Sequence, residues 1–305
     1  MLLYTVVYAR REGRTMSYEA MTLCMSHSPG FARDREETYG HAFRAGLAEV
    51  RDAVRDWDPS LVVFFGSDHR RAFGEVLPSA SVVQSAEGLG DSESPTGPYD
   101  VPAPLAKDLT RHLLAADYDI AVTRHIALDH GFGQTAADVL GALDARPLIP
   151  IFLNCATLPL TRPGRSAAIG REVARYFEAT DERVLYIGSG GMSHNPPTLA
   201  LTDEGLGEEE RRALSAAHRE AAKDDIRPDW DREMLTRMQS ADTSWVDDIT
   251  SEFLQTAGVG AHELRTWFAA YAAGAQGMRT VAYEPVREWL TGMGIALSQP
   301  AKSAA

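Results

Sequence analysis

Apolar residues along the chain recur in two patterns. The first is a short run with no polar residue, seen most clearly at Leu61–Phe65 and Leu148–Leu153. Such runs are strand-sized and suit strands covered on both faces. Thr22–Met25, Asp119–Thr123 and Val184–Ile187 are shorter candidates of the same kind. The second pattern has helical spacing. In Arg35–Trp57 it is carried by Ala42, Phe43, Leu47, Val50 and Val54, and it returns in Leu105–Leu114, Phe132–Leu143 and Arg165–Phe177. Strand and helix alternate through the first two thirds. This predicts an α/β fold with a central, mostly parallel sheet flanked by helices. The C-terminal third is expected to be helical, with Leu264, Trp267, Phe268 and Tyr271 as the apolar stripe of its clearest helix.

Some stretches fall outside this rhythm. Gln84–Pro104 is rich in Gly, Ser and Pro and reads as a long loop, a kind of segment that is usually functional or disordered. Thr202–Glu233 is strongly charged and reads as a solvated helix. The expected organisation is an N-terminal extension over 1–20, one α/β domain over 21–298, and a disordered tail over 299–305. Met16 and Met21 are candidate translation starts.

Charge and cysteine content narrow the function classes. Thirty Lys and Arg face 43 Asp and Glu, a formal charge of −13. An acidic surface repels phosphate, so neither nucleic acid nor an anionic membrane is an expected partner. The longest clean apolar runs fall far short of the ~20 residues of a membrane helix. The N-terminus begins apolar and then turns basic, the reverse of a secretory signal. Cys24 and Cys155 cannot make a disulfide framework, and a reducing cytoplasm is the expected location.

The chemistry gathers where apolar runs end. Thr22–Met25 leads to His27, Leu61–Phe65 to Asp68 and His69, and Val184–Ile187 to a Gly-rich turn and His194. Ala121–Ala127 leads to Asp129 and His130. In open α/β sheets the carboxyl ends of the strands form the ligand crevice. Four imidazoles in register there point to a metal or proton-transfer site, and any of them could be a ligand. His41, His112, His125, His218 and His262 lack this context and read as solvated helix faces or, for His125, a strand residue.

Glu263 is the candidate carboxylate. It lies near the packed stripe of its helix, where a buried charge needs a partner such as a metal. A Glu in the first helical turn, favoured by the helix dipole, is the alternative. Two histidines and a carboxylate with open positions form a non-haem iron(II) ligand set, and zinc accepts the same donors. Gly188–Gly191 lacks the spacing of a phosphate or dinucleotide loop. A G-x-S-x-G nucleophile elbow is also missing.

Taken together, Cys24-Met-Ser-His-Ser-Pro29, Ser67-Asp-His69, Leu128-Asp-His-Gly-Phe132, Gly188-Ser-Gly-Gly-Met-Ser-His-Asn-Pro-Pro197 and His262-Glu-Leu-Arg-Thr-Trp267 resemble the class III extradiol ring-cleavage dioxygenases. The pieces occur in family order from about Thr22 to Gly294. The resemblance implies that His27, His69 and Glu263 hold Fe(II), that His130 is an acid and His194 a base, and that Asp129 supports His130. It implies an oxidoreductase that opens a catechol ring beside its hydroxyls with O2 and no organic cofactor, and that forms homo-oligomers. The expected substrate is 2,3-dihydroxyphenylpropionate or a related 3-substituted catechol of aromatic catabolism. Protocatechuate, gallate or a biosynthetic catechol is the alternative, as is a non-enzymatic metal-binding relative.

Overall fold

The computed structural model describes residues 18–197 and 208–302. In chain order these form β1 (Glu19–Met25), α1 (Pro29–Arg33), α2 (His41–Trp57), β2 (Leu61–Gly66), β3 (Ala80–Val83), β4 (Ala86–Leu89), β5 (Thr96–Pro98), α3 (Ala103–Ala115), β6 (Ala121–Thr123), β7 (Ile126–Leu128), α4 (His130–Leu140) and β8 (Leu148–Leu153). Then follow α5 (Pro163–Phe177), β9 (Arg183–Ser189), α6 (Glu208–Ala222), α7 (Pro228–Arg237), α8 (Ser251–Gln255), α9 (Leu264–Gly274), β10 (Met278–Val286), β11 (Thr291–Ser298) and β12 (Ala301–Lys302). Among the described residues no helix is long and apolar enough to cross a membrane.

The main sheet runs β10-β11-β1-β9-β2-β8-β3-β6, with β12 also on β1. Its centre, β1, β9, β2 and β8, is parallel. Antiparallel pairs join the flanking strands: β3 on β8, β11 on β1 and β10 on β11. The central strands are the apolar runs of the sequence. Alternate side chains of one strand enter different cores, because successive residues point to opposite faces. Val63 and Phe65 pack with α3, α5 and α9. Val62 and Phe64 pack with Phe43, Leu47 and Val50 of α2 and with Phe132 and Val139 of α4. Helices therefore cover both faces of a largely parallel sheet, as the periodicity predicts.

Several expectations are refined. The helix expected from Arg35 begins at His41. Before it, the Asp34 carboxylate accepts the N–H groups of Thr38 and Tyr39, and Gly40 takes φ +70°, so these residues turn instead. Gln84–Pro104 is more than a loop: β4 and β5 lie in it, and β4 pairs with β5 on one side and β7 on the other as a small second sheet. The C-terminal third holds its helices but ends in the antiparallel pair β10 and β11. Strand β10, at the sheet edge, is buried only at Met278, Ala282 and Val286 and more exposed between them. Glu19 and Ala20, assigned to the extension, pair with Lys302 and Ala301, assigned to the tail. Residues 1–17 and 303–305 of those two segments, and 202–207 of the charged stretch, lie outside the described residues.

Helices α5 and α9 approach so closely that a Cβ on Gly170 would lie 2.0 Å from the carbonyl oxygen of Ala269. Helix propensity alone favours Ala over Gly by about 1 kcal/mol. A backbone carbonyl cannot yield as a flexible side chain does, so Gly170→Ala is expected to cost a net ~1–3 kcal/mol. Thermal melting checks this: Tm should fall, and an unchanged Tm would contradict the packing.

Candidate active site

Three strands of the main sheet end level with one another. Met25 of β1 pairs with Ser189 of β9, and Phe65 of β2 with Gly188. The segments bearing His27, His69 and His194 leave from this edge. His130 arrives differently from the expectation of four equivalent strand ends. Its strand, β7, belongs to the small sheet, and His130 opens α4 behind the N-cap Asp129. Glu263 ends the short turn Val259–Glu263 that precedes α9.

The turn carrying Glu263 is fastened from several sides. Arg265, fully buried, donates to the Thr161 carbonyl and to Ser251 Oγ. It also donates to His262 Nδ1 at 2.8 Å, so His262 gives its Nε2–H to Gln255 Oε1. His262 is therefore buried and bonded on both nitrogens, not on a solvated face. Burial, and then the Arg265 charge, lower its pKa to about 4. Thr266 Oγ1 donates to the Ser189 carbonyl and Trp267 Nε1 to the Gly190 carbonyl, tying α9 to the end of β9. Gly190 has no Cβ, and one there would sit 2.6 Å from Glu263 Cβ.

Three donors meet in this enclosure. His27 Nε2 is 3.5 Å from His69 Nε2 and 4.0 Å from Glu263 Oε2. His69 Nε2 is 2.9 Å from Glu263 Oε1. Their other polar atoms are held from behind. Ser189 Oγ donates to the Gly131 carbonyl, so it accepts from His27 Nδ1–H at 2.9 Å. Asp129 Oδ2 accepts both the backbone N–H of His69, at 2.6 Å, and its Nδ1–H, at 2.9 Å. Glu263 Oε2 accepts the Gly191 N–H at 2.6 Å. Both imidazoles therefore turn Nε2 toward the carboxylate.

The local charges follow from burial and pairing. Burial lowers the His27 pKa to about 3, against the pull of Glu263, so its Nε2 offers a lone pair. Burial also opposes charge on His69, but Asp129 and Glu263 outweigh it and hold its pKa well above the usual value. Burial disfavours the two carboxylates as well. Their bonds and attraction to the histidines, His69 above all, overcome this and hold both below the normal carboxylate range. A divalent cation among the three donors would replace the His69 Nε2 proton, since metal binding requires the free lone pair. Two imidazoles with their outer nitrogens tied, and one carboxylate, fit such an ion.

His130 and His194 flank this group. The His130 ring stacks on His69, with centroids 4.3 Å apart and planes 22° from parallel. Ligand atoms of His27, His69 and His130 all lie within 4.8 Å of one another, so His130 is close enough to compete for a metal. His194 donates Nδ1–H to the Met192 carbonyl at 2.8 Å, leaving Nε2 as its lone-pair nitrogen. Its ring fits beside two residues that lack a Cβ; one on Gly260 would lie 2.2 Å from Nε2 and one on Gly191 2.6 Å from Cε1. The adjoining Ser193 is anchored through N–H and Oγ to the buried Asp231, which also accepts from the Tyr283 hydroxyl.

The expected support of His130 by Asp129 is corrected. Both Asp129 oxygens are engaged elsewhere, Oδ2 by His69 and Oδ1 by the Gly131 N–H. The Asp129 carboxylate lies within 4.8 Å of a His130 ring nitrogen, but its hydrogen bonds go to these other partners. The carboxylate on His130 is Asp91, with Oδ2 at 2.6 Å from Nδ1. Sequence reasoning missed Asp91 and Ser189. Asp91 sits in the Gly-, Ser- and Pro-rich stretch that reads as a functional or disordered loop, and no motif selects it. Ser189 lies in the Gly-rich turn, where nothing in the sequence marks it as a partner for His27.

Residues 21–294 match the family described as the catalytic LigB subunit of aromatic ring-opening dioxygenase. Three similar proteins each bear the name 2,3-dihydroxyphenylpropionate/2,3-dihydroxicinnamic acid 1,2-dioxygenase. One, from Rhodococcus sp, is 34% identical over 304 residues, covering 90% of this chain and 97% of its own. Another, from Mycolicibacterium paratuberculosis, is 36% identical over 309 residues, covering 91% and 98%. The third, from a Mycobacterium sp., is 37% identical over 285 residues, covering 83% and 89%. With residues 21–294 matched and relatives 34–37% identical over most of the chain, this protein belongs to the LigB family and is an oxidoreductase, an aromatic ring-opening dioxygenase.

Proposed function

We propose that the chain cleaves a catechol beside its two hydroxyls, with O2 as oxidant and Fe(II) held by His27, His69 and Glu263. We further propose 2,3-dihydroxyphenylpropionate or a related 3-substituted catechol as the substrate, a reading supported by the names of the relatives. The observation that carries the metal assignment is the meeting of His27 Nε2, His69 Nε2 and the Glu263 carboxylate, each braced from behind. When bound, Fe(II) supplies positions for both catechol oxygens and O2 and lowers the pKa of a bound hydroxyl.

The chain's own residues supply positioning and proton transfer. His194, with Nδ1–H committed to Met192, has Nε2 available to take a catechol proton. Because the Nδ1–H of His130 is committed to Asp91, the residue acts as an acid by carrying a second proton on Nε2, and this is the proton delivered when the ring opens. Histidine suits both tasks near neutral pH. His130, stacked on His69 and bonded through Nδ1 to Asp91, would stand beside the residues that hold the metal and serve proton transfer. Asp129 orients His69 as a ligand, the usual task of a carboxylate behind a metal-binding histidine. Both oxygen atoms enter the product, a ring-opened hydroxy-keto dienoic acid.

Two outcomes are expected. Purified anaerobically, the protein should hold about one Fe(II) per chain, as a single two-histidine, one-carboxylate site implies. His27→Ala, His69→Ala and Glu263→Ala should each abolish tight binding, whereas His130→Gln and His194→Gln should keep iron and lose turnover by ~10²-fold or more. Full iron retention in Glu263→Ala, or iron loss in either Gln variant, contradicts the assignment.

The second outcome concerns the product. With 2,3-dihydroxyphenylpropionate, O2 uptake should accompany formation of a yellow ring-opened acid. Catechols lacking the side chain should react more slowly, because remote binding energy helps position the ring. A colourless muconate would overturn extradiol cleavage, and a strong preference for protocatechuate would overturn the substrate alone.

A further inference from the structure

Asp91 carries more structure than a loop residue needs. It lies in the short turn Asp91–Glu93 after β4, and its carboxylate grips His130 twice. Oδ1 accepts the His130 backbone N–H at 2.8 Å, and Oδ2 accepts the ring Nδ1–H at 2.6 Å. The first bond satisfies an orphan donor at the start of α4, which a purely structural cap would also do. The second does nothing for the helix. It holds the ring against rotation and keeps the proton on Nδ1.

The backbone that presents Asp91 is strained. Gly90, Ser92 and Glu93 have φ of +79°, +50° and +63°, and only the first lacks a side chain. Non-glycine residues take such angles rarely, and strain of this kind persists where surrounding contacts impose it. Here Arg35 pairs with Glu93, and Ser94 N–H closes the turn on the Asp91 carbonyl. Arg71 Nε approaches Asp91 Oδ2 to 3.8 Å from the segment that follows His69. The loop thus aims one carboxylate at one ring.

We propose that Asp91 is a positioning residue for ring opening: its two-point grip sets the orientation and tautomer of His130, so that Nε2 is the nitrogen that transfers a proton. This rests on the reading of His130 as a proton-transfer group.

The test is a double-mutant cycle on the iron-loaded enzyme with Asp91→Asn, His130→Gln and the double variant, reading iron content, Tm, KM and kcat. An Asn amide can still accept the backbone N–H through its oxygen, but it presents N–H to Nδ1 and favours the wrong tautomer. Asp91→Asn should keep its iron, hold KM within about threefold and lose kcat by roughly tenfold or more. Added to His130→Gln, it should lower kcat no further, because a residue acting only through His130 has nothing left to act on. A structural role would instead give additive losses, and additivity overturns the proposal. An unchanged kcat or lost iron in Asp91→Asn also overturns it. If His130→Gln itself turns over at the wild-type rate, the role of His130 fails; if His130→Gln is impaired while Asp91→Asn is not, only Asp91 fails. Should Asp91→Asn not fold, Asp91→Ser, whose hydroxyl can still accept the helix N–H, carries the same comparison.

Discussion

A buried carboxylate costs about several kcal/mol unless it is paired, and this protein buries Asp129 and Glu263 on opposite sides of a single imidazole. His69 joins them, with Nδ1 at 2.9 Å from Asp129 and Nε2 at 2.9 Å from Glu263. Each bond recruits a different part of the fold. His69 follows β2, Asp129 caps α4, and Glu263 sits on the turn before α9. The chain of carboxylate, imidazole and carboxylate therefore fixes how three segments distant in sequence meet. It also leaves one position, between His69 Nε2 and Glu263, where a cation can take the place of a proton.

The rest of the enclosure is arranged around that position. His27 is kept neutral by burial and turned by Ser189, so its lone pair faces the same point. The glycines at 190, 191 and 260 let backbone come close to Glu263 and His194 where a methyl group would collide. His130 stacks on His69 and His194 lies beside Glu263, each with Nδ1 committed to a fixed partner. Each of these side chains is thus fixed in orientation by hydrogen bonds before any ligand binds.

Much of this was legible in the sequence, for physical reasons that also explain what was not. Strands β1, β2, β8 and β9 are buried on both faces, so their apolar runs stand out, and the histidines just beyond them mark the crevice. Strand β10, with its uneven exposure, carries no such run and was absorbed into the expected helical region. The short strands β4 and β5 pair with each other, and β4 also pairs with β7, a contact between more distant segments that no local pattern encodes. Asp129 next to His130 suggested a pair, yet its two oxygens are taken by His69 and the Gly131 N–H. The true partner, Asp91, lies 39 residues away on a strained turn. Local pattern thus picked out the residues that meet in the enclosure, and tertiary contacts decided which carboxylate is bonded to which histidine.

The most direct measurement is a crystal structure of the anaerobically loaded protein with anomalous diffraction recorded on both sides of the iron K edge. The expected result is one iron peak per chain bonded to His27 Nε2, His69 Nε2 and the Glu263 carboxylate, with His130 and His194 standing off it and Asp129 still on His69 Nδ1. A peak bonded to His130 or His194 in place of one of those three, or no peak in the enclosure of an iron-loaded sample, would contradict the assignment.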